Sequence, residues 1–297
     1  MRALHDLPAP AKLNLFLHIV GRRADGYHLL QSPFVLIDWA DTLHVERRDD
    51  GRLSRHDLGP TLPADDLCLR AARLLQAESG CRLGADIHIH KQVPWGAGLG
   101  GGSSDAATVL LALNRLWGLR WPRERLAALG LKLGADVPFF VGGRNAFVEG
   151  IGEQLRPMDF PLQAYAVVKP PVALPTKEIF AHPLLKRDTV PVIVEGSSED
   201  AGCTRAPAAW LAGFGTNDLQ RAAEDRAPEV AQAASFLESR FGNSRMSGSG
   251  SAVFARVGSS TSPVATEAGA SLPDLPAGWV GRWCRSLEAH PLVAWPG

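Results

Sequence analysis

Neither sign of charge prevails in this 297-residue chain: 31 Lys and Arg residues stand against 31 Asp and Glu. Non-specific nucleic-acid binding depends on a broad basic field, which a balanced chain lacks, so no nucleic-acid partner is expected. Cysteine is scarce. Cys68, Cys81, Cys203 and Cys284 are the four present, far apart and never as Cys-x-x-Cys. That spacing suggests neither a zinc site nor a disulfide framework and fits free thiols in a reducing cytosol. Long apolar runs are missing too. The longest, Val109 to Leu119, is broken by Asn114 and Arg115, and Met1 to Pro8 holds no apolar stretch of the kind an export signal needs. A cytoplasmic protein without membrane insertion is expected. What remains is ordinary globular composition, 45% hydrophobic and 21% charged, in a chain long enough for two domains and a sizeable core.

Against that background one segment stands out. Between Pro94 and Ala107 lie five glycines, Gly96, Gly98, Gly100, Gly101 and Gly102, followed by Ser103 and Ser104. Before it, Ile87 and Ile89 alternate with His88 and His90 in the period of a strand; after it, Ala106, Val109, Leu110, Leu113 and Leu116 recur at helical spacing. The glycines therefore occupy a strand-to-helix turn. There the backbone N–H groups can reach an anion with no side chain in the way, and the helix start adds unpaired donors and the positive end of its dipole. This reads as a phosphate cradle, with Ser103 or Ser104 expected to cap the helix. Two other phosphate motifs are excluded. No lysine follows the last glycine as in a Walker A loop, and no acid stands between Gly118 and Arg123, where a dinucleotide fold would place one. A flexible linker is the bland alternative, disfavoured because patterned elements flank the glycines on both sides.

The same patterns order the rest of the chain. Leu13, Leu15, Leu17 and Ile19 alternate with Lys12, Asn14, Phe16 and His18, which predicts a strand over 11–20 with one buried face and Lys12 and Asn14 together on the other. Ala24-Asp25-Gly26 signals a turn before a second strand over 32–37, leaving Tyr27 and His28 just past the bend and within reach of Lys12. Asp65 or Asp66 is expected to cap a helix through Leu75 that Gly80 ends. Strand 84–92, helix 104–117 and an amphipathic helix over 122–133 follow. After a strand over 145–149, the proline-rich stretch Arg156 to Pro161 reads as a junction, giving domains 1–157 and 158–297, the second opening with a strand over 164–169. The Ser-, Gly-, Ala- and Pro-rich stretches 195–208 and 258–278 read as surface loops, some of them mobile.

Taken alone, Asp136 in Leu133 to Phe140 is a helix N-cap and Lys12 a solvated edge lysine. Beside a phosphate loop they take on another meaning. Phosphoryl transfer to an alcohol needs a group that accepts the hydroxyl proton and a cation that holds the moving charge, which Asp136 and Lys12 can supply. His88 and His90 share a strand face with no third ligand, so no transition-metal site is expected. The small-residue run Arg245 to Phe254 is either a tight hairpin or a surface that packs on the phosphate loop.

Pro10 to His18, the glycine segment, Leu133 to Phe140 and Met246 to Ala255, in this order, resemble the superfamily of galactokinase, homoserine kinase, mevalonate kinase and phosphomevalonate kinase, the GHMP kinases. Gly21-Arg-Arg-Ala-Asp-Gly-Tyr-His28 and Asn217-Asp-Leu219 narrow the resemblance to the 4-diphosphocytidyl-2-C-methyl-D-erythritol kinases. The resemblance spans nearly the whole chain. It implies an α+β protein of two-domain GHMP kinase fold, with an N-terminal ribosomal-protein-like ATP domain and a C-terminal ferredoxin-like domain closing the substrate cleft. It implies ATP-dependent phosphorylation of the 2-hydroxyl of 4-diphosphocytidyl-2-C-methyl-D-erythritol on the non-mevalonate route to isoprenoid precursors. Mg2+ would accompany ATP, its ligands unassigned; the partners would be small molecules, and the protein a monomer or homodimer.

Position by position, the resemblance makes Asp136 the general base and Lys12 the cation that orients it and the attacking hydroxyl. Pro94, Trp95, Gly96, Ala97, Gly98, Leu99, Gly100, Gly101, Gly102, Ser103 and Ser104 become the ATP phosphate loop. Asn14, Tyr27, His28, Thr176 and Phe180 become the substrate site, with Tyr27 and Phe180 stacking on cytosine and His28 hydrogen-bonding its edge. The chain departs from the family at Asp66, where an asparagine near the adenine is expected, and at Ser247, where threonine is more usual.

Overall fold

The computed structural model describes residues 1–194, 204–259 and 268–295. Of the two stretches read as surface loops, residues 195–203 and 260–267 lie outside the described residues. In chain order the elements are β1 (Ala3–Asn14), β2 (His18–Arg22), β3 (His28–Arg48), β4 (Leu53–Asp57), α1 (Leu67–Ser79), β5 (Gly84–His90), α2 (Gly101–Leu116), α3 (Arg123–Leu131), α4 (Val137–Gly142), β6 (Ala146–Glu149) and β7 (Gln154–Asp159). Then follow β8 (Gln163–Lys169), α5 (Thr176–Ala181), β9 (Thr204–Arg205), α6 (Ala208–Leu211), α7 (Gln220–Arg226), α8 (Pro228–Phe241), β10 (Arg245–Met246), β11 (Val253–Ser259) and β12 (Val280–Arg285). The architecture is α+β.

β3 organises the larger sheet. Ile37, Trp39, Asp41, Leu43 and Val45 are buried while Asp38, Ala40, Thr42 and His44 are less so, the two-residue alternation of a strand. Its 21 residues pair antiparallel with β1, β2, β5 and β6. β4 joins β5 in parallel, and β7 joins β6 antiparallel. The smaller sheet, in the order β10-β11-β8-β12, is antiparallel throughout, with α8 packed behind β8, β10 and β11.

Two apolar layers sandwich the strand that carries Lys12. On one side Leu7, Ala9, Leu36 and Leu43 pack with Ala71, Ala106, Leu110 and Phe140 of the helices. On the other, Ala11, Leu13, Val35 and Ile37 meet Tyr165, Val167, Phe254 and Cys284 of the smaller sheet. The expectation of one buried face on 11–20 is therefore corrected: residues 9–14 are buried on both sides. Alternating polarity reports which residues differ, not which layers later cover them. The single strand is also divided, because β1 ends at Asn14 and β2 begins at His18. Between them Leu17 bonds instead to Thr216 and Asp218 of the second half, at 2.9 and 2.8 Å.

Local signals fared unevenly. Asp66 caps α1 by accepting from Leu69 N at 3.1 Å, and Gly80 ends that helix with φ 65°. The cap expected from Ser103 or Ser104 is corrected: α2 starts at Gly101 behind Gly100, φ 72°, with no side-chain cap. The left-handed turn that glycine permits brings the helix in three residues early, leaving both serines inside its first turn. The proline-rich stretch 156–161 breaks only at its end, after Asp159. β7 runs through it with Pro157 opposite Ala146, so the expected 157/158 boundary falls inside a strand and the change of sheet comes at 160–162. Proline is tolerated there because β7 lies towards the sheet edge, with only the two-residue β9 beyond it.

The two halves meet through glycine. Ala252 N donates to Ala97 O at 3.0 Å, and a Cβ on Gly98 would stand 2.2 Å from Ser247 O. Gly98 itself has φ 71°. Gly98→Ala therefore adds a clash between two backbones to a left-handed strain that alone costs about 1–2 kcal/mol. The expected result is a fall in the urea midpoint larger than that strain accounts for, and an unchanged midpoint would show that the two loops do not interlock at this point.

Candidate active site

The glycine loop forms a partition between two cavities. On one side lies a cleft of about 940 Å³ whose lining includes Lys12, Asn14, Tyr27, His28, Asp136, Thr176 and Phe180. On the other lies a pocket of about 380 Å³ bounded by Leu62 and Pro63, the start of α1, Lys91 and Asp105. Gly96, Gly98 and Gly100 line both. The glycine loop is thus a wall that the two cavities share.

Lys12 is only 3% exposed, which overturns the local expectation of a solvated lysine. Its amide donates to Leu99 O at 2.9 Å, fastening β1 to the glycine loop. Its ammonium donates to Asn14 Oδ1, sits 4.6 Å from the centre of the Phe34 ring, and lies 3.7 Å from Asp136 Oδ2. Burial lowers its pKa below 10.5, and the Asp136 charge partly opposes that. Asp136 occupies the N-cap position of α4 with Pro138 in the first turn, yet its carboxylate caps nothing. With helical backbone at Asp136, φ −80° and ψ −18°, the side chain is free to face the cleft. The pair is spaced beyond hydrogen-bond length, and the acid remains 31% exposed on the side where an acceptor would enter.

Asn14 is held at both ends of its amide. Its Nδ2 donates to Ser32 Oγ at 2.8 Å while Oδ1 accepts from Lys12. Ser247 Oγ accepts from Asn14 N at 3.2 Å and donates to Gly98 O at 3.3 Å, so serine supplies the bond that the more usual threonine would.

At the start of α2, Ser104 Oγ and Asp105 Oδ1 are buried without a hydrogen-bond partner, and of the two residues Asp105 borders the smaller pocket. Behind them stands a network absent from the sequence reading: Lys91 donates to Asp41 and, at 2.7 Å, to Asp105, while Asp41 Oδ1 accepts from the amides of Gln92 and Val93 at 2.6 and 2.8 Å. Burial lowers the Lys91 pKa, but the two carboxylates outweigh it and hold the value above the ordinary one. Burial pushes Asp105 well up, against the pull of Lys91. The signal available in sequence was Asp41, an acid in the buried phase of β3. Asp66 is already engaged, by Leu69 N and by Arg55 at 2.9 Å, so its carboxylate is spoken for within the fold.

At the far end of the cleft, the His28 and Phe180 rings lie 5.3 Å apart at 35°, and Tyr27 is 61% exposed beside them. Thr176 Oγ1 is 2.8 Å from Ser249 Oγ. Every residue expected at the substrate site thus lines this cleft. Arg187, which no motif flagged, donates to His28 Nε2 at 3.2 Å. His88 stacks on His56 at 4.6 Å, away from both cavities.

Comparison with known proteins meets this geometry. The family described as GHMP kinases N terminal domain matches residues 66–144. A protein of Methylibium petroleiphilum called 4-diphosphocytidyl-2-C-methyl-D-erythritol kinase is 63% identical over 297 residues, covering 100% of this chain and 99% of that one. A protein of the same name from Variovorax paradoxus is 56% identical, covering 99% of each. Among solved structures, a 4-(cytidine 5'-diphospho)-2C-methyl-D-erythritol kinase superposes with TM-score 0.69 and 36% identity over 87% of this chain and 91% of that one. The homoserine kinase of Cytophaga hutchinsonii shares the fold at 16% identity, TM-score 0.62, over 98% and 96%.

The buried ammonium has a measurable cost. Because the folded-state pKa of Lys12 is depressed, charge is penalised in the folded protein at lower pH, and the penalty is relieved as pH rises through the folded value toward 10.5. Urea unfolding of the protein and of Lys12→Met across that window should show the wild type gaining stability relative to the variant. Parallel curves would mean that Lys12 is not desolvated.

Proposed function

We propose a division of labour in this cleft from one premise: the chain belongs to the family of 4-diphosphocytidyl-2-C-methyl-D-erythritol kinases, within the GHMP kinases. It is an ATP-dependent kinase that phosphorylates the 2-hydroxyl of its diphosphocytidyl substrate on the non-mevalonate route to isoprenoid precursors. The observation that carries the reading of the site is the Lys12–Asp136 pair, 3.7 Å apart, beside a glycine loop that borders both cavities.

Asp136 takes the proton of the 2-hydroxyl as the oxygen attacks the γ-phosphorus, and the bond from that phosphorus to the bridging oxygen of ADP breaks. Lys12 holds the acid and the hydroxyl in line and faces the charge that spreads over the transferred group. ATP lies in the smaller pocket, its phosphates against the backbone of residues 94–104, where the start of α2 leaves N–H groups without helical partners. Mg2+ fits the same place. Asp105, which borders this pocket and whose Oδ1 has no hydrogen-bond partner, would offer a hard donor of the kind it takes, and the ion would neutralise phosphate charge.

In the larger cleft, cytosine lies between Tyr27 and Phe180 with its edge toward His28, while Asn14 and Thr176 hold the substrate near the reacting end. A cytoplasmic setting is supported by the free thiols of Cys68, Cys81 and Cys284.

ADP release with magnesium-ATP and the cytidyl substrate, run beside homoserine, mevalonate and galactose, tests substrate and site together. Turnover confined to the cytidyl acceptor is expected, with kcat falling about 10²-fold or more in Asp136→Asn. Tyr27→Ala should raise KM for that acceptor and leave KM for ATP unchanged. Turnover on another acceptor, or an Asp136→Asn variant of full activity, would overturn the assignment.

A further inference from the structure

α4, the helix that Asp136 precedes, has only six residues, Val137–Gly142. A helix this short is not held by its own hydrogen bonds, and its last carbonyls need partners from elsewhere. They find them in and around segment 286–295, which leaves β12 of the smaller sheet and crosses back onto the larger one. Gly143, which ends α4, accepts from His290 N at 2.8 Å, and Ala289 bridges to Arg144. Arg123, at the start of α3, joins helix and segment. Its Nη1 donates to Val141 O in the last turn of α4, while the carbonyls of Leu292, Val293 and Trp295 converge on Nη2 at 2.5, 3.0 and 3.2 Å. The segment is folded to present them. His290 is buried, its Nδ1 accepts from Leu292 N at 3.0 Å and its carbonyl from Val293 N at 2.8 Å, and Trp295 N closes the next turn on Leu292 O at 3.1 Å. Arg123 forms no ion pair with any described residue, so its fork of donors serves backbone carbonyls. Burial lowers its pKa, which the charge of Glu124 only partly opposes.

The same segment grips the strand beside the other half of the reacting pair. Ser286 bridges to Ile37, and Leu287 N donates to Leu36 O at 2.8 Å; Leu36 is the cross-strand partner of Lys12. Asn145, itself buried, locks the join by accepting from Leu36 N at 2.9 Å and donating to Leu287 O at 2.7 Å. One stretch of backbone is thus bonded both to β3 opposite Lys12 and to the far end of the helix that Asp136 begins. We infer that segment 286–295 is a brace that sets the Lys12–Asp136 spacing, with Arg123 as its positioning residue. The inference rests on the role of Asp136 as base proposed above and adds what holds that base in place. Val141 lies five residues beyond Asp136. That is about 7.5 Å along a helix rising about 1.5 Å per residue. Freed from Arg123, the end of α4 can tilt, and the tilt moves the carboxylate without altering any group that binds either substrate. Catalysis by positioning is sensitive to such a shift: a displacement of about 1 Å can cost about 10²-fold.

Steady-state kinetics of Arg123→Met and Arg123→Lys, each made in the wild type and in Asp136→Asn, test this. Arg123→Met should lower kcat about tenfold and leave KM for ATP and for the acceptor unchanged. Arg123→Lys keeps a donor for Val141 O but cannot also span to the segment's three carbonyls, so it should lower kcat less. In Asp136→Asn the further loss should vanish, because a residue that acts through Asp136 has nothing left to position. A merely structural role gives a different pattern. An equal fall in both backgrounds, or a rise in either KM at constant kcat, overturns the inference, and so does wild-type kcat in both Arg123 variants. If Arg123→Met fails to fold, Arg123→Lys decides by the same cycle, and wild-type kcat in it overturns the inference. An Asp136→Asn variant of full activity overturns the base reading and the inference together. An impaired Asp136→Asn in which the Arg123 loss persists sinks the inference alone, so the two failures are distinguishable.

Discussion

The rest of this structure depends on a lysine ammonium held inside the protein. Taking a cation out of water costs several kcal/mol unless anions and lone pairs replace the lost hydration. Around Lys12 the replacements come from separate elements: Asn14 on the same strand, the face of Phe34 on β3, and Asp136 before α4. Each is fixed by the core in turn. Phe34 packs edge-on to Phe139 of α4, with ring centres 5.2 Å apart, so the helix that brings Asp136 and the strand that brings Phe34 are positioned by one contact. Strand β1 can carry a cation between two apolar layers only because these partners arrive together.

The glycine loop meets a constraint of a different kind, one of closeness. Lys12 Cε stands 3.3 Å from where a Cβ on Gly100 would be, and Phe140 closer still at 2.9 Å. On its other side the loop abuts the turn between β10 and β11. Its shape is therefore set by packing from both halves rather than by the loop alone. In the proposed reading this is how a flexible-looking sequence becomes a rigid phosphate site: positioning supplies most of the catalysis in phosphoryl transfer, and the fold spends small residues to obtain it.

How much of this was legible in the sequence depended on the range of the interaction. The glycine turn, the Asp66 cap and the helix behind them are local features, and local chemistry found them. Asp136 shows where that stops. Nothing near it in sequence distinguishes a capping acid from one that turns away to face Lys12, 124 positions earlier in the chain. Lys12 failed the same way, since Phe34, the glycine loop at Gly100 and Asp136 before α4, which close over its ammonium, lie far from it in sequence. The proline stretch misled because two prolines read as one interruption, while Pro157 sits within β7 opposite Ala146 and only Pro161 lies beyond the strand's end. For the buried charges the sequence held one usable hint, Asp41 in an apolar phase, but not the identity of its partner. The family resemblance grouped Lys12, Tyr27, Asp136 and Phe180, which the fold does bring to one cleft, because it carries long-range placement that periodicity lacks.

The two buried lysines differ in how far their surroundings compensate their charge. Lys91 faces two carboxylates, which outweigh its desolvation and consume its charge, although Asp105 Oδ1 itself keeps no hydrogen-bond partner. Lys12 faces one carboxylate, itself partly in solvent and beyond hydrogen-bond distance, and its desolvation is left undercompensated. That imbalance is a cost in the empty protein. When a phosphoryl group bearing negative charge arrives beside it, the same imbalance is relieved, and the attraction is greatest where the negative charge is closest. In the proposed reading, a cation poorly satisfied at rest thus contributes to binding and transition-state stabilisation what a fully paired one cannot.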